Sequence, residues 1–428
     1  MTDRSSVLFA AVASRLHVER TKRTSELAFS ALKEEGVELK GSPEPILEAE
    51  ELSRALAEQA DLRVVFVASG GTSRLMSKAL QGLEVLLWAH PSDNSLPSAL
   101  SAREKLRASG GWRGEVVFSI GPDTLPDELR AEIRAARAAR ELRELELLVI
   151  GGREVAERLA RALSALLGEG RPGVRQLSPV KLMGLLEARA EPLSLSDAMA
   201  ILKGITGEEV TKKLEEGLVK SVQMALLLEQ EVSKLPGLPV VTFDCFSMIE
   251  ELGLAPCVTV GLLLEHGITA VCEADPAALL LMAACRVLAD TPAWMANLAR
   301  FDREAGTITL AHCTACPSLA ASWPYRGTFL PHFESGQPVA LDIWLRRAPV
   351  VLANLQLGQR KLVLARGRVR DSGMGEEGLC RTQALVELEG DLDAFLRETG
   401  NHHVVCYEDI YDELARLGRR LGLEVLAL

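Results

Sequence analysis

The sequence predicts an α/β protein in which two parallel-sheet domains precede a C-terminal antiparallel β domain. Three observations carry this. Apolar strand-like runs alternate with helical patterns over roughly the first 300 residues. A strand leading into a Gly-Gly turn occurs at 64–71 and again at 147–152, so two similarly wound domains are expected. From about Thr307 the hydrophobic period falls to two, and glycines and prolines punctuate short strands.

In chain order, residues 7–13 read as a buried strand, followed by an amphipathic helix over 18–36 and a second helix over 45–59 with acidic residues near its start. Strands are expected at 62–68, 85–89 and 116–120, each followed by a helix. The Ser69-Gly70-Gly71-Thr72 turn hands a strand over to a helix N-terminus, which suits an anion or polar ligand, but it lacks a full dinucleotide fingerprint and a phosphate-loop lysine. His90, Asn94 and Ser95 follow strand 85–89, at the carboxyl end of a parallel strand, where open sheets bind ligands. The second unit starts with strand 147–150 and a helix over 154–167; helices fill 180–235, Pro236-Gly237 breaks them, and 238–244 is a core strand. Short strands at 307–311, 327–333, 338–345, 350–355 and 361–365 predict an antiparallel barrel or sandwich. A strand at 402–406, a helix at 409–421 and a strand at 424–428 are expected to pack back on earlier structure. The corresponding domains are 1–146, 147–300 and 301–428.

The chain of 428 residues is too long for one ordinary core. A net charge of −11 offers no positive field to replace counterions, so neither nucleic acid nor an anionic membrane is an expected partner. The most apolar run, 277–289, is too short to span a bilayer and is interrupted by Arg286, and no cleavage-type leader is evident; a cytoplasmic protein is expected. Eight cysteines, none before Cys245, do not resemble a secreted disulfide framework.

Six of those cysteines lie between residues 240 and 317, among apolar strands and turns that also carry Asp244, Glu273, Asp275 and His312. Burying such groups costs free energy unless they are paired or hold a metal. Glu273, His312 and the pair His402–His403 form the candidate ligand set, and a carboxylate with imidazoles suits manganese, iron, cobalt or zinc. Side chains alternate along a strand, so only one of His402 and His403 can face the site. Asp244, Cys245 and Asp275 are the expected next ring, as supporting or substrate-binding groups. Cys313 and Cys316 are spaced to clamp zinc or form a redox pair, with Cys406 and a histidine as possible completing ligands. No second paired motif exists, so ordinary buried thiols are expected.

These motifs resemble those of L-fucose and L-arabinose isomerase-family proteins. The resemblance rests on Phe243-Asp244-Cys245, Pro256-Cys257, Cys272-Glu273-Ala274-Asp275, residues 293–302 and the run from His312 to Ser318. Asn94-Ser95-Leu96, Cys380-Arg381-Thr382 and Gly400-Asn401-His402-His403 fit it as well. It implies two Rossmann-like domains, a C-terminal barrel, a trimer or hexamer with sites between subunits, and a small sugar or polyol substrate. It further implies aldose–ketose isomerisation through an enediol, aided by a divalent ion, usually manganese. Glu273 would be the first metal carboxylate, His312 a ligand, and His402 or His403 the last ligand, with Asp244, Asn94 and Ser95 toward substrate. The family's second catalytic carboxylate falls near Ala296-Asn297, where this chain carries no acid. Asn297 can coordinate through its carbonyl oxygen but cannot act as a general base; either Asp275 or Asp302 substitutes, or the reaction differs or is lost.

Overall fold

A computed structural model describes residues 5–168, 172–189, 193–202, 212–322, 325 and 327–428. The chain divides into two compact units, Met1–Arg140 and Glu141–Leu428.

The first unit holds a five-stranded parallel sheet of β1 (Ser6–Val12), β2 (Glu38–Ile46), β3 (Leu62–Val67), β4 (Leu86–Ala89) and β5 (Val116–Phe118), ordered β2-β1-β3-β4-β5. Helices cover both faces, so the central strands are continuously apolar. Alternate residues serve two separate cores: Val7, Phe9 and Ala11 pack on one face with Val64 and Phe66, while Leu8, Ala10 and Val12 pack on the other with Val65 and Val67. One expectation needs correction. The helix expected over 45–59 is only Ala49–Ala55, and the residues before it form the edge strand β2. Pro43 and Pro45 hide that strand from a pattern reading, yet an edge tolerates residues that donate no hydrogen bond.

The second unit begins with a four-stranded parallel sheet of β6 (Leu145–Ile150), β7 (Gly173–Leu177), β8 (Leu238–Phe243) and β9 (Thr269–Val271), ordered β7-β6-β8-β9. Counted within each sheet, both begin 2-1-3-4, so the recurring Gly-Gly turns do mark similarly wound sheets. β9 hands over to the apolar helix Pro276–Ala289.

The remaining strands are β10 (Trp294–Asp302), β11 (Thr307–His312), β12 (Gly327–Leu330), β13 (Ala340–Ile343), β14 (Pro349–Gln356), β15 (Lys361–Ser372), β16 (Thr382–Leu388), β17 (His403–Cys406) and β18 (Glu424–Ala427). Six of them, in the order β14-β17-β10-β11-β16-β15, close into an antiparallel barrel through the β14–β15 pairing. Of the two architectures that the two-residue period allowed, this is the barrel, and closure leaves it no free sheet edge. β12 and β13 make a separate hairpin. The barrel starts at Trp294 rather than near Thr307, and β16 also escaped the pattern reading. The tail does pack back: β17 inserts between β14 and β10, and β18 adds in parallel to β15. No helix among the described residues is long and apolar enough to cross a membrane.

Gly237 opens β8 with φ of +66°, and a Cβ there would lie 2.2 Å from the Glu144 carbonyl oxygen. Gly237→Ala should therefore cost about 1–3 kcal/mol. The loss would be read as a lowered urea midpoint at unchanged slope.

Candidate metal centre

β9 ends at Val271, and the chain then turns through Cys272, Glu273, Ala274 and Asp275 before the helix begins at Pro276. Glu273 and Ala274 both adopt left-handed backbone, with φ of +60° and +47°. Such residues cost on the order of 1–3 kcal/mol each and persist only where their surroundings hold them. Here the Ala274 amide donates to the Phe243 carbonyl at 2.9 Å, and Arg158 donates to the Ala274 carbonyl at 3.4 Å. Asp275 caps the helix, its Oδ1 accepting from the amides of Ala277 at 2.7 Å and Ala278 at 3.0 Å, with Pro276 at the first helical position. The result is a stiff turn at the carboxyl end of a parallel strand that presents Glu273 to the barrel.

Two barrel histidines meet it. His312, last residue of β11, places Nε2 3.2 Å from Glu273 Oε1, and its Nδ1 lies 2.9 Å from Thr314 Oγ1. His402, immediately before β17, places Nε2 3.2 Å from Glu273 Oε2, and its Nδ1 lies 2.6 Å from Asp275 Oδ2. The two rings stand 6.0 Å apart at 82°. One ligand atom from each of Glu273, His312 and His402 lies within 4.8 Å of the others.

The donor set fits a divalent ion on a specific observation. His402 Nε2 is buried and makes no well-aligned hydrogen bond, although it faces a carboxylate oxygen. A buried imidazole nitrogen left in that state costs free energy unless something else binds it. Both histidines are oriented through their other nitrogen by an oxygen, as metal-ligating histidines are.

Electrostatics agree with the geometry. Burial alone would raise the Glu273 carboxyl, but the facing imidazoles of His312 and His402 hold it well below the carboxylate range. Burial likewise opposes the Asp275 charge, and His402 with the helix amides outweighs it and lowers the pKa. Burial works against a charged His402, yet Asp275 and Glu273 together raise it to about 9.

The other sequence candidates are placed as follows. His403 points away from Glu273: it is fully buried, bonds Thr399 Oγ1 at 2.6 Å, lies 5.4 Å from the Phe395 ring, and is driven down to about 4 by burial and by the charge of His402. Strand alternation thus settles on His402. Asn297, on β10, accepts from Asn401 Nδ2 at 2.8 Å, one residue from His402. Asp302 caps the β10–β11 turn through the amides of Glu304 and Ala305. It lies five residues along β10 from Asn297, about 17 Å at strand rise, and cannot stand in for an acid there. All three Asp275 contacts commit it to holding His402 and capping the helix. Asp244 Oδ2 accepts from Ser247 Oγ at 2.6 Å at the end of β8. Asn94 and Ser95 belong to the first unit. Asn94 is left-handed at φ +55°, and the Ser95 hydroxyl is used internally, donating to the Val67 carbonyl at 2.5 Å and accepting from the His90 amide at 3.1 Å.

All eight cysteines are free thiols. Cys313 and Cys316 are buried thiols, as expected. Cys316 contacts Ser318 Oγ at 3.3 Å, Cys406 meets Cys285, and Cys313 meets Cys257 and Cys380.

The sequence reading missed Asn354, a lone amide on the apolar strand β14. It is buried; Nδ2 donates to the His402 carbonyl at 2.8 Å, and Oδ1 accepts from the Gly400 amide at 2.9 Å and Gln356 Nε2 at 3.2 Å. It also missed Asp342, whose buried Oδ1 has no hydrogen-bond partner among the described residues and whose carboxyl burial pushes up to about 6 against the pull of Arg381.

No family model matches the chain. It is 25% identical over 355 residues to the sulfoquinovose isomerase of Priestia aryabhattai, covering 77% of this chain and 75% of that protein. The sulfoquinovose isomerase of Priestia megaterium matches to the same extent. The chain is therefore similar to a sugar isomerase.

Two outcomes are expected. Asn354→Ala strands part-buried polar groups of the 400–402 loop and should cost about 1–3 kcal/mol, which calorimetry checks. His402 is raised from 6.5 to about 9, so ion-free protein keeps its stabilisation in full below about pH 6.5 and loses it as pH rises through about 9. Melting chelator-treated wild type against His402→Gln between pH 6 and 10 should show that loss in the wild type alone.

Proposed function

We propose that the chain is a metal-dependent sugar isomerase that interconverts an aldose and a ketose through an enediol. The observation that carries this reading is the carboxylate of Glu273 facing two imidazole nitrogens, one of them buried and unsatisfied. The similarity to proteins named sulfoquinovose isomerase supports the sugar-isomerase part.

Glu273, His312 and His402 are the proposed ligands, and manganese suits a set that mixes a hard oxygen with borderline nitrogens. A divalent ion there would act as a Lewis acid toward the carbonyl and hydroxyl oxygens of an open-chain sugar. The chain's own part is proton transfer and orientation. Glu273 is held in its basic form, so its carboxylate can accept the proton from the hydroxyl-bearing carbon while that C–H electron pair forms the enediol double bond. The same oxygen returns the proton to the adjacent carbon, while the hydroxyl proton passes to the former carbonyl oxygen as the carbonyl re-forms one position over. One base suffices for such a shift, which accommodates an amide at Asn297. Asp275 fixes the ring orientation of His402 and is a positioning residue. The expected homo-trimer or hexamer belongs to the same proposal.

A second reading is favoured by Asn297 itself: a sugar-binding protein that kept the site and lost turnover. Isomerisation assayed with Mn²⁺ over pentoses, 6-deoxyhexoses and sulfoquinovose separates the two. Turnover in the wild type, falling about a hundred- to ten-thousand-fold in Glu273→Gln, is the expected outcome. Sugar binding without turnover in the wild type, with activity appearing in Asn297→Asp, would establish the second reading instead.

A further inference from the structure

Beside the Glu273 centre, a second group of soft ligands converges from four separate segments. Cys257 is the first residue of the helix Cys257–Glu265. Cys313 follows His312 at the end of β11, His332 lies between β12 and β13, and Cys380 lies shortly before β16. One ligand atom from each of Cys257, Cys313 and His332 lies within 4.8 Å of the others. The Cys380 thiol meets that of Cys313. Cys257 and Cys313 are 2% exposed and His332 is 8% exposed.

We propose that Cys257, Cys313, Cys380 and His332 bind a second, soft divalent ion of the zinc class. Three sulfurs and one imidazole are a ligand set that zinc holds in tetrahedral sites, where Zn–S bonds of about 2.3 Å put sulfurs about 3.8 Å apart. The supporting contacts agree. His332 Nδ1 lies 3.1 Å from Ser335 Oγ and 3.4 Å from the Ser335 amide nitrogen; donation from Nδ1 to the hydroxyl is the tautomer that leaves Nε2 for the ion. The Arg381 amide donates to Cys313 Sγ at 3.4 Å, a contact that favours the sulfur as an anionic ligand. Cys257 stands on the first turn of a helix, where the positive end of the dipole favours a thiolate. The pattern-matched partner, Cys316, contributes nothing, since it turns to Ser318. An ion here would clamp a helix of the α/β part to two barrel connections and the β12–β13 hairpin, and Cys313 would tie it to the adjacent His312.

Elemental analysis of protein purified under reductant from zinc-supplemented medium should find one zinc per chain at this site. That zinc should survive the double substitution Glu273→Gln with His402→Ala, survive Cys316→Ser, and be lost on Cys313→Ser. Because Cys313→Ser alters a buried core position, cobalt exchange into the wild type supplies an independent reading: Co²⁺ should give a thiolate charge-transfer band in the near ultraviolet with strong visible bands of tetrahedral coordination. Zinc that disappears with the Glu273 and His402 substitutions overturns the proposal. So does a cobalt spectrum without the thiolate band, or a Cys313–Cys380 disulfide in place of the ion. Failure of the isomerase assay leaves these readouts untouched.

Discussion

The contact on which the second unit turns is a single carboxylate held between two imidazoles. Glu273 is mostly buried, and a buried charge is tolerable only when paired. Its two oxygens face His312 and His402, which come from opposite ends of the barrel sequence, while Glu273 itself hangs from the α/β sheet. The sheet and the barrel therefore have one electrostatic focus. The left-handed backbone at Glu273 and Ala274 is the local cost of aiming that carboxylate outward, and the anchoring bonds to Phe243 and Arg158 offset it.

Around this focus the acids divide their roles. Asp275 is adjacent in sequence to the key turn, yet its oxygens are consumed by the helix cap and by His402 Nδ1. It governs which His402 nitrogen faces Glu273 and how much proton affinity that ring has. Asn297 sits beside Asn401, close to His402, and brings hydrogen-bonding capacity without charge. In the proposed reaction, with Asp275 committed to its cap and to His402, proton transfer falls on Glu273.

Much of this was legible in the chain, for identifiable reasons. Runs such as Leu62–Val67 and Leu145–Ile150 are buried on both faces, so their composition alone marks them as parallel strands. Glu273 and His312 stood out because polar groups in apolar surroundings demand partners. β2 did not, because its prolines and charged residues belong to an edge strand. β10 did not, because Trp294–Ala296 is wholly buried while its far half is exposed, which blurs a two-residue period. The choice between His402 and His403 needed the register Ala296–His403, a long-range fact that no local pattern contains. Asn354 was invisible for the same reason: its value lies in the carbonyls and amides of a loop distant in sequence.

The insertion of β17 between β14 and β10 also sets an order of events during synthesis. Until residues near 403–406 have left the ribosome, β10 and β14 each present an unpaired backbone edge, and His402 is absent from the pocket. A nascent chain can form both parallel sheets and most barrel strands by then, yet the barrel stays open along one seam. Long-range closure of this kind is slow, and open edges invite pairing with other chains. Assembly of the Glu273 centre and protection from aggregation are therefore the same late step, governed by a four-residue strand near the chain's end.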